Sequence, residues 1–352
     1  MSLPADFPTA LWQRILAANA GDDDQCQLLA DEVIEWVDGQ HPDILGEVLD
    51  QLRTERAYGV SLKLLEATWH SESPEGFRAQ IAQDWVGTIL FGLNDPEGAD
   101  LVAQHIGVQS DRMSTGFLSD FGDLLMEWGL VDAAFRILEP LLKKTPGDLS
   151  VKYNVATYHK LNGHWSDARQ LFEQIAQHQP QVEVLENLLI CHVAEGDIES
   201  AQETERMIKE VNPRVERYEG QWVQVGLPAT DNMPEELVYG EMVAPHRVRL
   251  RGIPERWKEL SYDALLLVDF KPQKVKEIFY FPMLKQLEAT EWETTEFFVK
   301  NAIEGVVTSL QESGFAARKS NLATTVLVAT PASQSEALES WIKTTAFPVE
   351  RL

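Results

Sequence analysis

Residues 121–146 read FGDLLMEWGLVDAAFRILEPLLKKTP, residues 155–180 read VATYHKLNGHWSDARQLFEQIAQHQP, and residues 188–213 read LLICHVAEGDIESAQETERMIKEVNP. Laid over one another without a gap, the three segments share a glycine (Gly129, Gly163, Gly196), an alanine five residues later (Ala134, Ala168, Ala201) and a proline seventeen residues after the glycine (Pro146, Pro180, Pro213). Successive glycines are 34 and 33 residues apart. Each segment reads as two amphipathic helices, and neither helix can bury its apolar face alone, so the units are expected to stack. The glycine ends the first helix, where a left-handed residue avoids the penalty of a β-carbon. The alanine is small where two helices cross closely. The proline stops the second helix because it has no amide to donate.

Seven residues before the glycines stand Gly122, Ala156 and Leu189, preceded by Phe121, Val155 and Leu188. A period near 34 with this signature resembles the tetratricopeptide repeat family. The resemblance covers residues 115–214 and implies a right-handed α-solenoid of helix-turn-helix repeats that holds a protein partner. The third unit departs from the pattern: Leu189 replaces a small residue, and Glu205 stands where the family prefers an aromatic, as in Phe172 of the second unit. Degeneracy of this kind is expected at the end of a stack, where one face meets something different.

Nine residues before the glycines lie Asp120, Asn154 and Asn187. In tetratricopeptide proteins the first helices line the concave face, where an asparagine offers a donor and an acceptor to an extended chain; the alternative is that these asparagines cap or brace neighbouring helices. The same register places Ser119, Tyr153 and Glu186, then Asp123, Thr157 and Ile190, and also Glu183, along that face. Lys160 is present, but the lysine, asparagine and arginine set with which some family members clamp an acidic C-terminus is missing. The resemblance therefore implies a groove of Asp120, Asp123, Tyr153, Asn154, Thr157, Lys160, Glu183, Glu186 and Asn187 for an extended, neutral-to-basic segment.

Upstream, residues 1–114 read as helices with apolar residues at helical spacing, among them Leu28, Leu29, Val33, Ile34, Trp36 and Val37, then Leu62, Leu64, Leu65 and Trp69, then Ile81, Trp85, Ile89 and Leu90. Breaks are expected at Gly39–Pro42, Ser71–Gly76 and Asn94–Pro96. These segments read as degenerate repeats continuing the same superhelix, or as a separate helical bundle. Asp22, Asp23 and Asp24 lack the spaced oxygens and closing glutamate of a calcium loop and read as a solvated helix start. Trp36, Trp69 and Trp85 read as core.

After Pro213 the helical rhythm stops. Leu237–Val243, His246–Arg251, Tyr262–Phe270, Val275–Phe281 and Leu322–Thr330 have the composition of strands. Thr294–Ser313 reads as a helix stopped by Gly314, and Ser335–Thr344 as another. Residues 215–352 are thus expected to form an α+β domain, making the chain mainly α with an α+β end.

The 352 residues carry 56 acids and 30 bases, a net charge of −26. Region by region the balance is −14 for residues 1–114, −7 for 115–214 and −5 for 215–352. Such a surface repels a phosphate backbone and favours a basic partner. No run approaches the length of a membrane span, and two distant cysteines, Cys26 and Cys191, fit a reducing compartment. A cytoplasmic location is expected.

No phosphate-cradling glycine loop, nucleophile elbow, paired-histidine metal motif or Cys-x-x-Cys occurs. No cofactor or metal is therefore expected, and His159, His178 and His192 stand at spacings that suit no metal. Asp263 and Asp269 flank a strand and read as turn formers, with a strand-end carboxylate as the sharper alternative. In His246–Arg251 strand alternation places Arg247, Arg249 and Arg251 on one face. Arg256, Lys258, Lys271, Lys274 and Lys276 follow. That face is solvated, or it meets an acidic ligand: the chain's own acidic solenoid, or a nucleic acid. Together these features point to a non-enzymatic adaptor or scaffold. The alternatives are an enzyme with a catalytic C-terminal domain whose repeats recruit substrate, and RNA binding through the arginine face.

Overall fold

The computed structural model describes residues 4, 7–19, 21–37, 43–69, 75–108, 113–214, 219–229, 235–257, 260–275, 277–322 and 324–352. The expected break at Gly39–Pro42, most of that at Ser71–Gly76, and the cations Lys258 and Lys276 lie outside them. Two compact units are present, Met1–Tyr158 and His159–Leu352.

The first unit is helical. It contains α1 (Thr9–Ala17), α2 (Asp23–Val37), α3 (Asp43–Thr54), α4 (Tyr58–Trp69), α5 (Glu75–Gly87), a π-helical turn at Thr88–Gly92, α6 (Pro96–Val108), α7 (Thr115–Glu127), α8 (Val131–Lys144) and most of α9 (Leu149–Leu161). Asp22 accepts a hydrogen bond from the Gln25 amide at the start of α2, the behaviour of a helix cap. Trp69 and Trp85 are buried, with ring centroids 6.5 Å apart and planes tilted by 58°. Trp36 is half-buried against Phe7. At the crossing of α7 and α8, a β-carbon on Gly122 would collide with the Leu138 side chain. The smallest residue is therefore required there.

The second unit opens with the end of α9, then α10 (Trp165–His178), α11 (Val182–Glu195) and α12 (Ile198–Val211). The turns after α7, α9 and α11 are built alike. Gly129, Gly163 and Gly196 hold φ of +78°, +73° and +77°. In each, the next amide reaches back five residues, Leu130 to the Leu125 carbonyl, His164 to that of His159, and Asp197 to that of His192, at 2.8 to 2.9 Å. This is the Schellman closure. Ala134, Ala168 and Ala201 are buried, and α8, α10 and α12 each end two residues before their proline. A β-carbon at Gly196 would meet nothing within 4 Å, so its only penalty is the left-handed backbone. Gly196→Ala is expected to lower stability by about 1–2 kcal/mol, read as a shifted denaturation midpoint.

Beyond α12 come β1 (Trp222–Leu227), β2 (Glu236–Ala244), β3 (Arg247–Leu250), β4 (Leu265–Val268), β5 (Gln273–Val275) and β6 (Ile278–Glu288). Strands β1, β2, β3, β4 and β6 pair antiparallel in that order. With five strands in the ring the closing pair must be parallel, and β1 does pair parallel with β6 at Val225 and Phe281. The result is a small barrel filled by Val225, Leu227, Val248, Leu250, Leu266 and Val268 among others.

The last segment runs β7 (Trp292–Val299), α13 (Ile303–Glu312), β8 (Ala316–Lys319), β9 (Thr325–Pro331), α14 (Ser335–Thr344) and β10 (Val349–Arg351). Its sheet has the order β10-β7-β9-β8, with antiparallel pairing throughout. This is the β-α-β-β-α-β topology of ferredoxin-like sheets. Phe297, Val299, Val326 and Val328 face Val306, Leu310 and Leu338 of the two helices.

Two expectations need correction. Thr294–Ser313 is not one helix: its first residues belong to β7, and α13 begins only at Ile303. The run Trp292-Glu-Thr-Thr-Glu-Phe-Phe-Val alternates with a buried face at Thr295, Phe297 and Val299, and Ala302, at φ +62°, turns the chain before the helix. Val275–Phe281 is likewise two strands, β5 and the longer β6, paired as a hairpin.

Candidate functional site

On the first unit, α7 and α9 carry Asp120, Asp123, Tyr153, Asn154 and Thr157 of the expected groove. Asp123 is half-buried and accepts hydrogen bonds from the Asn154 amide and from the Ser150 hydroxyl, the latter at 3.1 Å. Burial pushes its carboxyl above the usual aspartate range, and the nearby Asp120 and Asp148 push the same way. Asp120 is exposed, while Tyr153 and Thr157 are half-buried. Asn154 thus braces one repeat helix against the next at the centre of an acidic strip.

On the second unit, three of the remaining residues expected in the groove, Lys160, Glu186 and Asn187, are engaged by the chain itself. The Lys160 ammonium lies 2.8 Å from the Asp269 carboxylate, with side-chain exposures of only 4% and 12%, and over the Phe270 ring. Glu186 meets the His246 Nε2 at 2.5 Å, also buried. Lys285 of β6 donates to the Ala194 carbonyl in the last turn of α11 at 2.7 Å, where a cation complements the helix end. Around these polar links Ile190 and Ala194 pack against Leu267, with Trp165, Phe270, Leu284 and Leu287 at the rim. The barrel is therefore docked on α11. Asn187 is buried and its amide donates to the Glu183 carbonyl one turn back, whereas Glu183 is exposed.

The three arginines do share a strand face, and each meets acid. Arg247 approaches Glu205 of α12 at 3.6 Å. Arg249 is 3.3 Å from Glu288 and 3.8 Å from Asp263. Arg251 pairs with Glu241 at 3.2 Å and with Asp263. One arginine in three thus reaches the repeats, and the other two close ion pairs within the barrel. Asp263 holds φ +69° and serves as a turn residue and arginine partner; Asp269 serves as the partner of Lys160.

Lys285 and His246 carry no signal in the sequence, because their partners lie far along the chain. His159, His164 and Asp167 are equally silent there, yet their ligand atoms lie within 4.8 Å of one another. A cleft of about 650 Å³ separates the barrel from the ferredoxin-like sheet and is lined by Glu255, Glu293, Glu296, Ser261, Thr290 and Arg351 among others. Both cysteines are buried, and burial raises the Cys191 thiol to about 12, which makes it a packing residue. No described helix is long and apolar enough to cross a membrane.

No family model matches the chain, and no curated protein matches it. Among solved structures, MamA from Desulfovibrio magneticus is similar at 13% identity, covering 50% of this chain and 97% of that one, with a TM-score of 0.37. A Podosopora anserina putative kinesin light chain with nearly identical TPR-like repeats is similar at 17% identity, covering 51% and 99%, with a TM-score of 0.36. Within this chain the helix pairs α7/α8, α9/α10 and α11/α12 share one glycine-closed turn at a period of 34 and 33 residues.

Proposed function

We propose that this chain is a non-enzymatic protein-interaction adaptor that holds an extended, neutral-to-basic segment on the α7–α9 face of its repeats. The observation that carries the reading is the strip of Asp120, Asp123 and Asp148 around Ser150 and Asn154. An aspartate whose carboxyl is raised by burial and by like charge gains when a cation arrives beside it. Among the other first-helix positions, Lys160 and Glu186 already have buried partners in the barrel and the Asn187 amide is bonded within α11, which favours Asp120, Asp123, Tyr153, Asn154 and Thr157 for a ligand. The paired state of Arg249 and Arg251 favours a protein ligand over a nucleic acid.

Two variants test this reading. Asp120→Lys with Asp123→Lys is expected to weaken capture of a basic peptide by about 1.5–3 kcal/mol for each charge-assisted hydrogen bond removed. Undiminished capture would overturn the reading. Asp123→Asn keeps an acceptor for Asn154 but removes the charge. Because folding raises this carboxyl, the ionised form opposes folding above the raised value, and that cost vanishes below the unfolded value of about 3.9. The asparagine variant is therefore expected to melt higher than the parent at pH 7, with the difference fading on acidification, read by thermal melts across pH.

A further inference from the structure

We propose that His159, His164 and Asp167 form a three-ligand site for a zinc-class divalent metal on the turn between α9 and α10. The inference stands apart from the adaptor reading. It starts from the repeat turn itself: Gly163 at φ +73° lets the His164 amide donate to the His159 carbonyl at 2.8 Å. This fixes a residue in the last turn of α9 against the residue that opens α10. Their side chains converge, with the two Nδ1 atoms 3.5 Å apart and the rings tilted by 50°. Asp167, in the first turn of α10, brings a carboxylate oxygen to within 4.8 Å of both.

The spacing is informative. Two nitrogens bound to zinc at about 2.0–2.1 Å and a tetrahedral angle stand about 3.4 Å apart, close to the separation found here. At 3.5 Å the same pair makes at best a long hydrogen bond. Two imidazoles and a carboxylate are also a donor set that suits zinc rather than calcium or magnesium. Coordination through Nδ1 leaves the proton of each neutral imidazole on Nε2. Three protein ligands leave the fourth tetrahedral position open, and His164 and Asp167 are exposed, His159 partly so, so water can fill it.

The test is titration of the full chain with zinc alone, read by calorimetry and by melting temperature, with cobalt(II) as a spectroscopic probe. One zinc per chain is expected, with a melting temperature that rises with zinc concentration and a visible cobalt band of tetrahedral intensity. His164 is exposed and makes no side-chain cap bond, so His164→Gln is expected to fold normally. It should weaken zinc at least about tenfold, more than the loss of an outer-shell partner at its weakest. Asp167→Asn should do likewise, while His178→Gln, at the other end of α10, should leave affinity unchanged. Zinc affinity in His164→Gln equal to that of the parent, or no saturable zinc binding by the parent, would overturn the proposal.

Discussion

Replacing Lys160 by methionine is expected to remove about 3–5 kcal/mol of stability, because it leaves the Asp269 carboxylate buried without its cation. The two side chains are 4% and 12% exposed, so water cannot compensate for the missing partner. The double change Lys160→Met with Asp269→Leu is expected to recover most of that loss, since a buried ion pair repays little more than its own desolvation. Urea unfolding followed by tryptophan fluorescence is well placed to read this, as Trp165 lies at the edge of the same apolar patch. Equal destabilisation of the single and double variants would mean that the ion pair is not what the barrel docks through.

Ala168→Leu is expected to cost about 1–3 kcal/mol by overpacking. Ala168 is fully buried in α10, five residues after the glycine of the second repeat, where the period demands a small side chain. A core at close-packed density has no room for three more carbons without displacing a helix. An unchanged denaturation midpoint would show that the repeat alignment is wrong at its centre.

The repeats were legible because their signals are local. A left-handed glycine, a small crossing residue and a terminating proline each act within one helical turn, and all nine positions behave as the period demands. The outer-face strands were legible for the same reason: Arg247, Val248, Arg249 and Leu250 alternate just as they are half-exposed and buried. Thr294–Ser313 misled because Val299, Ile303, Val306 and Leu310 fit a helical face, while the competing alternation at Thr295 and Phe297 supports a strand. In that contest pairing with β9 outweighs helical periodicity. Register offers Lys160 and Glu186 as groove residues, but their partners, Asp269 and His246, stand 109 and 60 residues away. No window of sequence contains such a contact. The His159–His164 pair fails to stand out for a different reason: a five-residue spacing matches no helical face, and only the repeat turn folds it back on itself.

The most direct test of the central claim is amide hydrogen exchange on the full chain, with and without a saturating basic, extended peptide. The docked barrel predicts that α11 is strongly protected before any ligand is added, and that the peptide adds protection along α7 and α9 around Asp123 and Asn154. Added protection confined to α11 or to the strands, with α7 and α9 unchanged, would contradict it.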